Sequence, residues 1–264
     1  KTSHGYQSTQ SKQKQMKIVS LFSGAGGLDK GFEEAGMEIV WANEFDKKIH
    51  PTFKKNFPNT TLDTRSITDI KTKEIPRCDG IIGGPPCQSW SEAGALRGIK
   101  DERGQLFFEY IRILKDKKPK FFLAENVSGM LFKRHGIAIE SILERFRDID
   151  YNVRYSLLNT NNYGVPQSRE RVIFVGYHKD YGIKFYPPDE DPAKPVLKDA
   201  IWDLRKNAVP ALEKNKTNPK VKFPNHEYMI GGFSSIYMSR NRVRRWDQPS
   251  FTIQAGGRHA PCHP

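Results

Sequence analysis

The stretch Lys17-Ile18-Val19-Ser20-Leu21-Phe22-Ser23-Gly24-Ala25-Gly26-Gly27-Leu28 decides the fold. Its apolar opening reads as a buried strand, Ser23 to Gly27 as a tight glycine loop, and Leu28 to Ala35 as an amphipathic helix. Further along, Glu38 to Ala42 reads as a second strand ending at Asn43-Glu44-Phe45-Asp46, and a third ends at Gly83. Gln105 to Lys115 reads as a helix, Phe121 to Ala124 as a strand running into Glu125-Asn126-Val127, and Ile137 to Phe146 as another helix. This alternation predicts an α/β fold with a parallel, doubly wound, Rossmann-like sheet.

The rhythm stops after about Gly176. Pro187, Pro188, Pro192, Pro195, Pro210, Pro219 and Pro224 punctuate short polar pieces, which predicts a smaller irregular domain. We therefore expect an α/β domain over 16–177 and a second, smaller domain over 178–264, with the boundary near His178. Residues 1–15 hold four Gln, three Ser and three Lys without periodicity, and read as a disordered arm or an expression remnant. A basic arm touching DNA is the alternative reading of that segment.

Charge points to a polyanionic partner. The 264 residues carry 43 Lys and Arg against 30 Asp and Glu, a net +13. Residues 178–264 hold 15 Lys and Arg against 9 Asp and Glu, a net +6, with Arg240, Arg242, Arg244 and Arg245 clustered beside Trp246 and Arg258 close behind. Such a run is either a solvated face or a reader of guanine O6 and N7. Cys78, Cys87 and Cys262 have neither CxxC spacing nor an even count, which argues against a disulfide framework or a zinc site, so no metal is expected. No apolar run approaches the roughly 18 residues of a membrane span. A soluble, cytoplasmic protein without a membrane partner is the expectation.

Three constellations lie at predicted strand ends. In Gly83-Gly84-Pro85-Pro86-Cys87-Gln88-Ser89-Trp90, two glycines permit close approach to a ligand and two prolines fix the orientation of the cysteine. It reads as a mounted nucleophile or as a core cysteine behind a loop. The glycine loop is not the dinucleotide fingerprint, because position 29 is Asp where a third glycine is needed. Glu44, twenty residues after Gly24, stands where a carboxylate binds ribose hydroxyls, so an adenosine-containing cofactor fits. Glu125-Asn126 can hydrogen-bond the edge of a heterocycle or cap a helix. Before the strand Val172 to Val175, Gln167-Ser168-Arg169-Glu170-Arg171 places two arginines on one face by period-two alternation.

Taken together, Phe-Ser-Gly-Ala-Gly-Gly-Leu, Asn-Glu-Phe-Asp, Gly-Pro-Pro-Cys-Gln, Glu-Asn-Val and Gln-x-Arg-x-Arg resemble, in order and spacing, the DNA cytosine-5 methyltransferase family. Asn225-His226-Glu227-Tyr228, Met238 to Arg244 and Thr252 to Arg258 are similar to the HaeIII-type, GGCC-recognising bacterial restriction-modification enzymes of that family. The resemblance implies S-adenosylmethionine as cofactor and a flipped-out cytosine in double-stranded DNA as substrate. It implies Cys87 as the nucleophile at cytosine C6, Glu125 at N3 and N4, and Arg171 at O2 with Arg169 beside it. Phe22, Gly24, Gly26, Leu28, Glu44, Phe45, Ser66, Ile67, Pro85 and Leu106 fall at its cofactor positions. Ser91, Gln167, Ile236, Arg240, Arg242, Arg244 and Arg258 fall at its DNA positions. The loop from Gln88 to Gln105 is expected to close over the DNA, hinged at Gly94, Gly98 and Gly104.

Two departures from the family pattern stand out. The family's Gly-Asp-Ile motif is Arg65-Ser66-Ile67 here, with Asp63 and Asp69 as substitutes for the missing carboxylate. The family's last two motifs, Arg-x-x-Thr-x-x-Glu and Gly-Asn-Ala-Val-Pro, do not occur within residues 1–264. The resemblance then implies a second polypeptide supplying them, or a binding fragment without chemistry of its own. An RNA cytosine-5 methyltransferase of similar fold is the remaining alternative.

Overall fold

The computed structural model describes residues 15–86, 102–131, 136–206, 208–210, 212, 218, 221, 227–228 and 244–253. Seven strands form one sheet: β1 Lys17–Leu21, β2 Glu38–Asn43, β3 Thr61–Asp63, β4 Gly80–Gly83, β5 Phe121–Val127, β6 Tyr151–Asn159 and β7 Glu170–His178. Their order is β3-β2-β1-β4-β5-β7-β6. β1 pairs in parallel with β2 and β4, β2 with β3, and β4 with β5. The chain thus winds one way from β1 to β3 and the other way from β4 onward, and the crevice at this reversal, beyond the carboxyl ends of β1 and β4, is where such sheets hold ligands.

Helices connect the parallel strands: α1 Gly27–Glu34, α2 His50–Asn56, α3 Glu102–Lys117 and α4 Gly136–Asp148. Strand alternation sends Phe121 and Phe122 to different clusters. Phe121 packs with Ile18, Ile39, Phe53, Phe57 and Ile82, and Phe32 of α1 leans on this cluster. Phe122 stacks on Phe146 of α4 with ring centroids 4.4 Å apart and meets Tyr151 edge-on at 5.2 Å. Tyr110 of α3 is fully buried with its hydroxyl donating to the Leu123 carbonyl at 3.0 Å, so the largest aromatic group in this layer is satisfied.

Several elements differ from the sequence expectation. β3 and α2 carry too few apolar residues to stand out from the surrounding loops. β5 runs to Val127, so Glu125 and Asn126 belong to the strand rather than to the segment after it. β7 begins at Glu170, which leaves Arg169 in the preceding loop, and strand alternation does not extend to it.

The chain divides into two compact units, Lys1–Tyr155 with Ile173–Tyr186, and Ser156–Val172 with Pro187–Pro264. Among its described residues the second unit has a five-residue helix, α5 Leu197–Ile201, and the short parallel pair β8 Val209–Pro210 and β9 Glu227–Tyr228. Lys206-Asn207-Ala208-Val209-Pro210 shares four of five letters with the family's last motif, but its Val209–Pro210 is spent in this pair. No described helix is long and apolar enough to cross a membrane, and no group of three or more metal-ligating side chains occurs among the described residues. An apolar cavity of about 390 Å³, lined by Phe32, Met37, Phe121, Leu123, Val175 and Tyr177, lies in the first unit. Few polar groups converge on it, and no chemistry is assigned to it.

The glycine loop depends on one close approach. Gly26 has φ +86°, and a Cβ there would stand 2.1 Å from Cε2 of the buried Phe57. Gly26→Ala should therefore destabilise the protein by about 1–3 kcal/mol, from overpacking plus the left-handed backbone. A urea midpoint unchanged from wild type would refute this.

Candidate active site

The β1 end turns through Phe22 and Gly24, with φ of +55° and +56°. A left-handed phenylalanine costs about 1 kcal/mol or more, and such strain clusters at ligand sites. Glu44 holds this turn. Its Oε2 accepts from the Gly24 amide at 2.8 Å, and its Oε1 from the Asp46 amide at 2.7 Å. The His50 ring meets the Glu44 carbonyl at 2.8 Å, which ties α2 to the same corner. A Cβ built on Gly24 meets nothing within 4 Å, and the Phe45 ring next to Glu44 is 68% exposed. An open glycine turn, a half-buried carboxylate and a bare aromatic ring converge at the ends of β1 and β2. Leu28 and Leu106 are half-buried, on α1 and α3.

The β3 end is organised by a residue that the sequence reading passed over. Asn43, 2% exposed, donates to the carbonyls of Asp63 at 3.1 Å and Arg65 at 2.9 Å. Arg65 grips Asp63 through Nε at 3.1 Å and Nη2 at 2.7 Å, and reaches Glu74 with Nη1 at 3.0 Å. The Arg65 hydrogen bond holds the Asp63 carboxyl below the usual carboxylate range. Asp63 is thus committed to Arg65, and Asp69 Oδ1 accepts from Thr68 at 3.4 Å. The Ser66 hydroxyl pairs with that of Thr68 at 2.7 Å, and Ile67 is buried.

At the β4 end the packing is tighter. Asn126, 8% exposed, donates from Nδ2 to the Pro85 carbonyl at 2.9 Å. Its Oδ1 accepts from the Val127 amide at 2.9 Å. The Gly-Pro-Pro segment leading to Cys87 is therefore anchored on β5 by a side-chain amide, which is a sharper role than a helix cap. The neighbouring Glu125 places Oε2 3.3 Å from where a Gly84 Cβ would stand, so a carboxylate lies against the turn that presents the cysteine. Asn126→Ala should leave the buried Pro85 carbonyl without this donor, costing about 1–3 kcal/mol. A denaturation midpoint equal to that of the wild type would contradict this.

Cys78 is a free thiol whose burial pushes its pKa up to about 12, against the opposing charge of Lys117. It is inert at neutral pH. Cys87, Ser91, Ile236, Arg240, Arg242 and Arg258 lie outside the described residues, as does most of the expected closing loop.

In the second unit, the segment containing Gln167 and Arg169 is zipped to the chain around Ser250. Gln167 bridges to Ser250, the Ser168 amide donates to the Ser250 carbonyl at 2.8 Å, and the Thr252 hydroxyl donates to the Ser168 carbonyl at 2.9 Å. Arg244 stacks its guanidinium 3.8 Å from the centroid of the Phe251 ring. Two expected DNA residues, Gln167 and Arg244, are thereby built into one strip. Arg171 donates to the Glu170 carbonyl at 2.7 Å from within β7.

One buried charge remains. Asp29, in the first turn of α1, is fully buried, and neither of its oxygens makes a hydrogen bond of ordinary geometry. Burial raises its pKa from an ordinary 3.8 to about 6, opposed by the nearby Ser20 hydroxyl and its own amide. An acid with a raised folded pKa holds its proton better when folded, so stability falls as pH rises between the two values. The penalty is absent below 3.8 and complete above 6, on the order of 3 kcal/mol. Asp29→Asn should raise the melting temperature at pH 7.5 and leave it nearly unchanged near pH 3.5.

This geometry is a nucleotide-type crevice at the ends of β1 and β2 and an anchored Gly-Pro-Pro segment faced by a carboxylate at the end of β4, the outline of a group-transfer enzyme. Residues 16–263 match the C-5 cytosine-specific DNA methylase family. The chain is 57% identical over 253 residues to the Type II methyltransferase M.FnuDI of Fusobacterium nucleatum, covering 94% of this chain and 73% of that protein. It is 58% identical over 254 residues to the Type II methyltransferase M.NgoPII of Neisseria gonorrhoeae, covering 94% and 74%. The fold is similar to the crystal structure of a Spodoptera frugiperda DNMT2 mutant, with a TM-score of 0.64 and 22% identity over 90% of this chain and 70% of that one. The chain belongs to the C-5 cytosine-specific DNA methylase family and is an enzyme of that class.

Proposed function

We propose that this protein methylates carbon 5 of a cytosine flipped out of double-stranded DNA, the inner cytosine of GGCC, through a covalent bond from Cys87. The observation that carries the reading is the β4 turn: Asn126 fixes Pro85, and Glu125 lies against Gly84, three residues before the cysteine. A rigid Gly-Pro-Pro lead-in beside a carboxylate supports a nucleophilic role for the cysteine that follows it in sequence.

The crevice at β1 and β2 fits S-adenosylmethionine. Glu44 offers carboxylate lone pairs to ribose hydroxyls, the exposed Phe45 ring is free to stack on adenine, and the left-handed Phe22 and Gly24 leave room for backbone contact. Bound there, the cofactor supplies an electrophilic methyl group on a sulfonium. The Ser66 hydroxyl would meet the adenine amine without the family's carboxylate charge, which weakens that contact.

In this reading the Cys87 thiolate adds to cytosine C6, and the ring's electron pair moves to C5. Glu125 holds N3 and N4 and Arg171 holds O2, so the charge that develops on the ring is met by fixed partners. C5 takes the methyl group with its electron pair, loses its proton to a base, and the ring expels the Cys87 thiolate. Extrusion of the base is needed because stacking covers C6 in the duplex. Arg240, Arg242, Arg244 and Arg258 would read the flanking guanines, with Gln167 and Ser91 at the backbone and Ile236 in the vacated stack.

The site is tested by comparing methyl transfer into GGCC, AGCC and GGTC duplexes and a transfer RNA. Arg242→Ala should lose about 1–3 kcal/mol of discrimination, a factor of roughly 5 to 150. Unchanged discrimination in that variant would remove Arg242 from the readers, and preference for the RNA would overturn the DNA assignment.

A further inference from the structure

The glycine loop and the N-terminus of α1 form a motif that ordinarily attracts anions. Unpaired amides and the helix dipole give the first turn a positive potential, and glycines at the first, third and sixth positions let a pyrophosphate approach. Here Gly24 and Gly26 occupy the first and third positions, but the sixth is Asp29. The ligand of the proposed function is a cation where it reacts.

The carboxylate of Asp29 is fully buried, and the hydroxyls of Ser20 on β1 and Ser23 in the loop are buried as well. None of these oxygens makes a hydrogen bond of ordinary geometry, although the Ser20 hydroxyl lies close enough to Asp29 to lower its pKa. A buried carboxylate and two buried hydroxyls so poorly satisfied around one loop are unusual, since buried polar atoms are nearly always paired. The destabilisation that follows from Asp29 is the kind a fold retains where function uses the charge.

We propose that Asp29 is a positioning residue of the methyl-donor site: its buried carboxylate inverts the potential of the glycine loop, so that the loop favours the cationic donor over the neutral thioether product. This rests on reading the loop as the S-adenosylmethionine site. Product release follows from the same charge. Transfer of the methyl group removes the sulfonium, and with it the attraction to Asp29.

The other titratable groups on surrounding elements do not duplicate this charge. On α1, Lys30 pairs with Glu33 at the surface and Glu34 is exposed. Lys17 on β1 and Glu38 on β2 are exposed, and β4 carries no ionisable side chain. Lys54 and Lys55 on α2 are exposed, the His50 ring meets the backbone carbonyl of Glu44, and the Glu44 carboxylate accepts from the Gly24 and Asp46 amides.

The test is calorimetric binding of S-adenosylmethionine and S-adenosylhomocysteine to the wild-type protein and to Asp29→Asn, at pH 7.5 and pH 5.5. The two ligands share every other ionisable group, so their affinity ratio isolates the sulfonium. Two unit charges about 10 Å apart at an effective dielectric constant near 20 change affinity by roughly tenfold or more. Asp29→Asn should therefore weaken the donor about tenfold and the product less than twofold. In the wild type alone, the donor-to-product ratio should fall as pH drops through 6, since the carboxylate is charged above that value. Equal effects on both ligands, or a wild-type ratio independent of pH, would overturn the role of Asp29. If the wild type binds neither ligand, the reading of the loop as the donor site fails first, and the inference falls with it. The wild-type pH series needs no variant, so misfolding of Asp29→Asn would not shield the proposal.

Discussion

Cys87→Ala should abolish methyl transfer while the protein still folds and binds its duplex. Loss of a covalent nucleophile costs on the order of a thousandfold or more in turnover. Cys78, the cysteine among the described residues, cannot compensate, because burial pushes its thiol up to about 12. A duplex carrying 5-fluorocytosine at the target should trap the wild-type enzyme in a denaturant-stable complex, since fluorine blocks loss of the C5 proton and hence expulsion of the thiolate. Cys87→Ala should give no such complex. If Cys87→Ala retained more than a few per cent of wild-type turnover, the covalent route would be wrong.

The second large effect is on folding, and it separates two adjacent glycines. A Cβ on Gly83 would stand 2.2 Å from the backbone carbonyl oxygen of Leu21, its partner in the last pair of the parallel β1–β4 ladder, where the obstacle is backbone rather than a flexible side chain. Gly83→Ala should destabilise the protein by about 3 kcal/mol, at the upper end of overpacking costs, and give poor soluble yield. At Gly84 the nearest atom is Glu125 Oε2 at 3.3 Å, the end of a flexible side chain. Gly84→Ala should fold nearly as well as wild type yet lose turnover, because it displaces the carboxylate proposed to hold the target ring. Denaturant melts and single-turnover rates on the pair check both halves. Similar stability losses would show that the Gly84 contact is merely structural.

The architecture was legible where elements bury long apolar runs. β1, β4 and β5 announce themselves because a central parallel strand is covered on both faces. Thr61–Asp63 escapes notice as a strand because it is a three-residue edge with an exposed Thr61 and no buried residue. Glu44 was legible by its spacing from Gly24, but its double grip on the Gly24 and Asp46 amides was not, since a motif names a residue and not its geometry. Asn43 and Asn126 carry no periodic signal. Each acts through a carbonyl far away in the chain, on Arg65 and Pro85, and only folding brings those carbonyls within reach. Asp29 was visible as the residue that spoils a dinucleotide fingerprint. Its importance depends on burial, which no spacing rule reports.

The most direct test of the account is nucleoside mass spectrometry of a GGCC duplex incubated with this protein and methyl-labelled S-adenosylmethionine. The account predicts one product, labelled 5-methylcytosine at the inner cytosine of each strand, absent when Cys87 is replaced. Label on a cytosine N4 or adenine N6 amine, or 5-methylcytosine made equally well by Cys87→Ala, would contradict it.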